Sequence, residues 1–315
     1  MKQLFNKNGQ GSVELNRLTG TFAANASYNI ILQEILFATE EVAGLVGSAV
    51  IASASSKYMA EEMTDDEAEF VDAVRLPIAV LAVSRWVQRT GVSHDNTGRK
   101  IKADDNEKVP FEWMIDRDDR AMTEQYYRSL DALYAYLETN SVAEWIESGK
   151  KRAYEGSLIT SLQQLESIYP IDGSYFLFYR LQGLILEVQE MRLEGMLGSK
   201  WGDISGETVA DEDLNLLKLA RRYAVLKALS VAVQRWSLEA FPLKIARRFS
   251  PSYQGNRESS AATMKEIDWF VGNINGQLEE IADLIESELN DGESAWSGRA
   301  LLPKNDRRNK FFTAQ

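Results

Sequence analysis

The chain has 315 residues, of which 44% are hydrophobic, and its 47 acidic against 35 basic side chains give a net charge of −12. This length and hydrophobic content suit one large domain or two smaller ones with real cores. The lack of cysteine excludes disulfides, thiolate nucleophiles and cysteine-ligated metals, and the single histidine, His94, excludes sites built from several imidazoles. We therefore expect neither a cofactor nor a resident metal. A body this acidic is also a poor general binder of nucleic-acid phosphates.

Residues 1–26 are polar and rich in glycine, which predicts an extended arm or a short strand rather than a helix. They contain no apolar signal core. The longest uncharged apolar stretch near the middle of the chain, residues 76–84, is too short to span a bilayer. We expect a soluble, intracellular protein with no membrane partner.

A stripe of apolar residues between 30 and 46 predicts an amphipathic helix that opens at Ser27 and stops at Gly47.

Residues 64–67, with the sequence Thr-Asp-Asp-Glu, form a capping box that predicts the start of a long helix through Trp86. Pro77 lies inside the pattern and predicts either a later start or a kink. A polar loop over residues 91–109 follows, and apolar residues at helical spacing predict a further helix over residues 113–137.

The second half of the chain repeats features of the first half in the same order. Three blocks match at a nearly constant offset: residues 44–47 with 195–198, residues 82–86 with 232–236, and residues 133–139 with 281–287. The first block has the pattern Gly-x-x-Gly, and the second ends in Arg-Trp. We interpret the matches as an internal duplication, with copies over about residues 10–145 and 155–292.

Because strand signals are few, we expect a mostly α protein made of two related helical bundles, with extended arms at both ends. Residues 13–18 and 158–160 are the candidates for a small β element. The predicted organisation is an N-terminal arm (1–26), a first helical repeat (27–147), a second helical repeat (153–291) and a basic C-terminal arm (292–315).

The end of the chain is opposite in charge to its body, because residues 299–312 contain five basic residues and one acidic residue. Apolar anchors on a terminal arm commonly find a pocket in the same chain or in a neighbour. We therefore expect this segment to be a partner-docking arm, carried by Arg307, Arg308, Lys310, Phe311 and Phe312.

No set of residues in the sequence predicts catalysis. Ser93-His94-Asp95 has the residue types of a catalytic triad, but consecutive side chains do not give triad geometry, which favours a solvated loop. The carboxylates of residues 61–69 and 116–119 lack the spacing of a calcium loop. In Arg85-Trp86 and Arg235-Trp236, we expect Trp to pack in the core and Arg to cover the surface beside it rather than to stack on a ligand.

Several segments together resemble an uncharacterised family found in tailed phages and prophages of Bacteroides-type bacteria. The residues that carry this resemblance are 133–138, 145–148, 178–198 ending in Glu-Gly-Met-Leu-Gly, and the helix over 75–86 with its second copy. The resemblance covers most of the chain, although its motifs are loose patterns. Genes of this family usually lie among virion structural genes. It implies a particle component such as a head–tail connector or ring protein beneath the portal, and it implies no catalytic residue.

The resulting expectation is a non-enzymatic, homo-oligomeric ring protein of the virion, assembled in the host cytoplasm, that links the portal or other neck proteins to the tail. DNA would pass nearby without specific binding, because an acidic wall repels it. The alternative is a cytosolic helical adaptor that captures a protein partner. A carboxylate-based hydrolase is the remaining enzymatic alternative.

Overall fold

The computed structural model describes residues 3–90, 93–95, 98–100, 111–206, 208–236 and 264–290. This part of the chain is mostly α-helical, which confirms the predicted fold class. It divides into two compact units, the first with residues 3–155 and 171–180 and the second with residues 156–170, 181–236 and 264–290.

The first unit is built around seven helices among its described residues. They are α1 (Gly11–Thr19), α2 (Leu32–Val46), α3 (Ser48–Met59), α4 (Asp65–Thr90), α5 (Glu112–Thr139), α6 (Ala143–Ile146) and α7 (Gly149–Arg152). A 3-10 turn, Tyr28–Ile30, precedes α2. Strands β1 (Ser93–Asp95) and β2 (Gly98–Lys100) pair in antiparallel register, with His94 opposite Arg99. The described part of the predicted polar loop is therefore a hairpin.

The described helices that follow are α8 (Leu162–Ile168), α9 (Tyr175–Val188), α10 (Glu194–Leu197), α11 (Trp201–Ser205), α12 (Leu214–Arg235) and α13 (Met264–Leu289). A π-helical turn, Gln189–Leu193, joins α9 to α10. Residues 175–180 of α9 count with the first unit. Two further 3-10 turns are Gly198–Lys200 and Asp211–Asp213.

Helix α4 is the central helix of the first unit, because its residues from Ile78 to Val83 are all buried and α1, α2, α3 and α5 all contact it. The predicted capping box is confirmed at its start. The Glu67 amide donates to the Thr64 hydroxyl at 3.3 Å, and the Thr64 amide donates to the Glu67 carboxylate at 3.2 Å. The helix begins at Asp65 and continues through Pro77, so the predicted alternative of a later helix start is wrong.

The expectation of an arm or strand without helix over residues 1–26 is wrong at α1. This helix buries Leu15 completely and packs against α4, and the neighbouring Phe5 and Phe22 are also buried. The predicted positions of the β element are wrong as well, because residues 13–18 lie within α1 and residues 158–160 form no strand. The small β element among the described residues is the hairpin of β1 and β2. The contacts that stabilise α1 come from residues more than 40 positions away, which local patterns do not report.

Equivalent positions of the two sequence copies are buried alike. At the offset of 148, four of the five buried apolar or aromatic residues of α5 coincide with buried residues of α13: Tyr126, Leu130, Leu133 and Leu137 with Ile274, Leu278, Ile281 and Ile285. α5 packs on α4, and α13 packs on α12. A shared buried stripe on the partner of each long helix supports the predicted duplication.

The two copies also end and brace their helices in the same way. Gly47 ends α2 with φ of 97°, and Gly198 ends α10 with φ of 54°, as the Gly-x-x-Gly match predicts. In the first unit Arg85 near the end of α4 pairs with Glu41 of α2 at 2.5 Å. In the second unit Arg235 at the end of α12 pairs with Glu187 of α9 at 2.6 Å.

Candidate functional site

The predicted docking residues Arg307, Arg308, Lys310, Phe311 and Phe312 lie outside the described residues. The docking arm therefore stays a prediction. The described residues offer a different candidate, at the beginning of α5.

The first turns of α5 carry a group of exposed apolar side chains. Phe111, just before the helix, is 68% exposed, and Trp113, Met114 and Ile115 are 59%, 42% and 47% exposed. Four acidic residues and one basic residue lie among them between 111 and 119. We call residues 111–119 the aromatic–acidic surface.

The position of this surface follows from the pattern of α5. The buried stripe of the helix begins only at Tyr126, so residues 112–125 have no buried member. At 1.5 Å per residue, these 14 positions extend the helix by about 20 Å before the stripe begins. An exposed group of large apolar side chains flanked by charge is typical of a protein-binding surface.

A second group of polar residues lies at the other end of α5, around Glu138. The Glu138 carboxylate accepts hydrogen bonds from the Trp145 indole at 2.6 Å, from the Lys151 ammonium at 2.5 and 2.7 Å, and from the Tyr179 hydroxyl. Tyr134 stacks on Tyr179 with ring centroids 5.0 Å apart. We call these five residues the Glu138 cluster.

The electrostatics of the Glu138 cluster are those of a saturated structural site. Burial raises the pKa of Glu138, but the hydrogen bonds from Lys151, Trp145 and Tyr179 outweigh it and hold the pKa below its ordinary value. Burial and the hydrogen bond to Glu138 both raise the pKa of Tyr179. The carboxylate therefore stays ionised with both oxygens occupied, and it fastens the end of α5 to α6, α7 and α9 rather than presenting a base to a substrate.

A third buried group surrounds Arg75 of α4, which is 4% exposed. Its guanidinium lies between the rings of Phe5 and Tyr58, 4.8 Å from each centroid. A terminal nitrogen of Arg75 is 3.0 Å from the carboxylate of Glu14, which also accepts a 2.7 Å hydrogen bond from the Tyr58 hydroxyl. These contacts hold the N-terminal segment on α3 and α4, so this group is also structural.

The Arg-Trp pairs follow the predicted packing role in part, because Trp86 and Trp236 are half-buried rather than enclosed in the core. Trp86 is half-buried and meets Phe22 edge to face at 5.2 Å. Arg85 and Arg235 are occupied by their ion pairs with Glu41 and Glu187.

Within the described ranges, no group of three His, Asp or Glu side chains is arranged to hold a metal ion. In the same ranges, no helix combines the length and hydropathy needed to cross a bilayer.

Comparisons of the chain with protein-family models, with curated proteins and with solved structures gave no significant match. The resemblance to phage virion proteins therefore stays a prediction.

Proposed function

We propose that the chain is a non-enzymatic structural component of a tailed-phage particle, a head–tail connector or neck ring protein that joins the portal to the tail. The observation that carries the proposal is the aromatic–acidic surface on α5. The resemblance of residues 133–138 and 178–198 to virion structural proteins supplies the setting.

Trp113 and its apolar neighbours have the composition of an interface anchor. Trp and Tyr contribute most of the binding energy at many protein interfaces, where they insert into pockets of the partner. The surrounding carboxylates Glu112, Asp116, Asp118 and Asp119 favour a basic partner surface and speed its association.

The basic C-terminal arm has the complementary composition. Arg307, Arg308 and Lys310 would pair with carboxylates, and Phe311 and Phe312 would join the exposed apolar side chains. An arm of one subunit bound to the surface of the next would build a homo-oligomeric ring, because head-to-tail contacts close when the rotation permits. The remaining acidic body would repel DNA passing through such a ring.

The alternative is a cytosolic adaptor that uses the same surface to capture a protein partner. Its sequence basis is the absence of a catalytic set together with the basic arm. Particle association separates the two functions, since an adaptor would be missing from purified virions.

The test uses the full chain with W113S/I115S and, as the matched control, M191S, since Met191 is 73% exposed elsewhere. Mass photometry is expected to find oligomers in the wild type and in M191S, and smaller species in W113S/I115S. Deletion of residues 299–315 is expected to have the same effect and to abolish incorporation into particles. A chain that is monomeric at every concentration and absent from virions contradicts the proposal.

A further inference from the structure

The second unit contains a cavity of about 300 Å³ between α8 and α12. The side chains that line it are Gln164, Ser167, Ile168, Leu214, Leu217, Lys218, Arg221 and Arg222. We call it the cationic cavity, because three of its lining residues are cations and none is an acid. This composition contrasts with the net charge of −12 of the whole chain.

The three cations share one face of α12. Lys218 is separated from Arg221 and Arg222 by three and four positions, which places all three on neighbouring turns. Within the described part of the chain, Lys218 and Arg222 form no ion pair. The Arg221 Nε donates a 2.9 Å hydrogen bond to the carbonyl oxygen of Leu158, which fixes the side chain and leaves its terminal nitrogens to donate elsewhere. Burial lowers the pKa of Arg221, and a bound anion would offset that desolvation.

The opposite wall of the cavity is formed by α8. The Gln164 side-chain oxygen accepts a 2.9 Å hydrogen bond from the Thr160 amide, so its NH₂ group is the end left to donate. Ile168, Leu214 and Leu217 supply the apolar part of the lining. Such a set of convergent donors beside an apolar wall suits an amphiphilic anion.

The predicted duplication allows this cavity to be compared with the equivalent place in the first unit. At the offset of 150, α8 corresponds to α1, and Leu165 coincides with Leu15, both of them completely buried. Each short helix packs on the long helix of its unit, α1 on α4 and α8 on α12.

In the first unit the equivalent place carries an exposed ion pair. Arg17 of α1 donates to both carboxylate oxygens of Asp72 of α4 at 2.8 Å. The corresponding residues in the second unit are Ser167 and Arg222, so the bridging arginine has been lost and the carboxylate has been replaced by a cation.

The neighbouring positions change in the same direction. Ala68 and Val71 of α4 correspond to Lys218 and Arg221 of α12, and Glu67 corresponds to Leu217. At these positions the first copy has one cation and two acids, whereas the second copy has three cations and no acid.

From this comparison we propose that the cationic cavity binds the phosphate of a small phosphate monoester, whose apolar part lies against Ile168, Leu214 and Leu217. Arginine matches phosphate oxygens with paired N–H donors, and a phosphate dianion balances more of the three positive charges than a carboxylate does. This site is independent of the oligomeric function proposed above.

The test is isothermal titration calorimetry of the full chain with phenyl phosphate, benzoate and benzyl alcohol, three probes that share a ring and differ in charge. The decisive variant is S167R/R222D, which restores the ion pair of the first unit and is expected to fold. K218A/R222A removes charge without closing the cavity, and R192A removes an exposed cation of the same unit outside it.

Phenyl phosphate is expected to bind the wild type and R192A equally and to lose about tenfold or more of its affinity in K218A/R222A and in S167R/R222D. Benzoate is expected to bind more weakly, and benzyl alcohol not at all. Equal binding of benzyl alcohol, equal or tighter binding of benzoate, or unchanged phosphate binding in both cavity variants would overturn the proposal. The proposal would also be overturned if duplex DNA, and not phenyl phosphate, bound the wild type and lost its affinity in the same two cavity variants.

Discussion

Replacing Glu138 with glutamine should destabilise the first unit far more than an ordinary surface change. The variant E138Q keeps the shape of the side chain but removes the negative charge that accepts hydrogen bonds from Lys151, Trp145 and Tyr179. A hydrogen bond to a charged group contributes about 1.5–3 kcal/mol and a neutral one about 1 kcal/mol. Glutamine also turns its NH₂ group toward one of these donors, so we expect a loss of about 2–3 kcal/mol.

The pH dependence of this loss has a definite sign. Because the folded protein holds the pKa of Glu138 below its ordinary value of 4.5, the carboxylate stabilises the fold fully above pH 4.5. That contribution disappears as the pH falls from 4.5 through the lower pKa of the folded state. The difference between wild type and E138Q should therefore be largest near neutral pH and should shrink in acid.

Hydrogen exchange measured by mass spectrometry on peptides covering residues 126–152 is the suitable assay, because a chain with two compact units need not unfold in one step. The expected loss corresponds to exchange faster by about 30- to 150-fold, at 1.4 kcal/mol for each factor of ten. The control is E124Q, which breaks the exposed pair of Glu124 and Arg128 on the same helix and should cost about 0.5 kcal/mol or less. Equal effects of E138Q and E124Q, or an E138Q effect that does not change between pH 7 and pH 3, would refute this account.

Two further changes test the core and the helix ends. L137A and I285A remove equivalent, buried side chains of α5 and α13, and each should lower the free energy of unfolding of its own unit by about 2–5 kcal/mol. Hydrogen exchange on peptides from each helix measures the two effects separately. A near-neutral I285A would argue against α13 as the counterpart of α5. G47A should destabilise the protein by about 1 kcal/mol or more, because Gly47 has a φ of 97° and an added Cβ would lie 3.2 Å from the Cβ of Ser148. The control G44A adds a Cβ that meets nothing within 4 Å and should stabilise the protein by about 0.5–1 kcal/mol. Thermal melts that rank the two variants in the opposite order would contradict this.

Features with local causes could be predicted from the sequence. The start of α4 follows from the capping box at Thr64 and Glu67, and the ends of α2 and α10 follow from Gly47 and Gly198, because a glycine reaches positive φ without strain. The helix over residues 113–137 is found within two residues at each end, since its apolar spacing matches its buried stripe.

Features with distant causes could not be predicted in this way. Helix α1 depends on Glu14, whose partners Tyr58 and Arg75 lie 44 and 61 positions further along the chain. A window of neighbouring residues contains none of these contacts, so the polar composition of residues 1–26 outweighed them. The aromatic–acidic surface was missed for a related reason, because its residues fit the helical pattern and only the folded unit shows where burial on α5 begins.

The proposed anion site rests on the predicted duplication, because only the comparison of the two copies singles out the cationic cavity. Lys218, Arg221 and Arg222 read as an ordinary solvated face of a helix when α12 is considered by itself. At the offset of 150, Arg222 falls at the position of Asp72 of α4, which pairs with Arg17, whereas the buried Leu15 and Leu165 are both apolar. Core positions constrain both copies equally because both must pack, whereas surface charge is free to change once the fold is secured by other contacts. Because Arg17 and Asp72 are exposed and such a pair contributes about 1 kcal/mol or less, packing does not require it, and the binding of phenyl phosphate decides whether the charge reversal at Arg222 serves an anion.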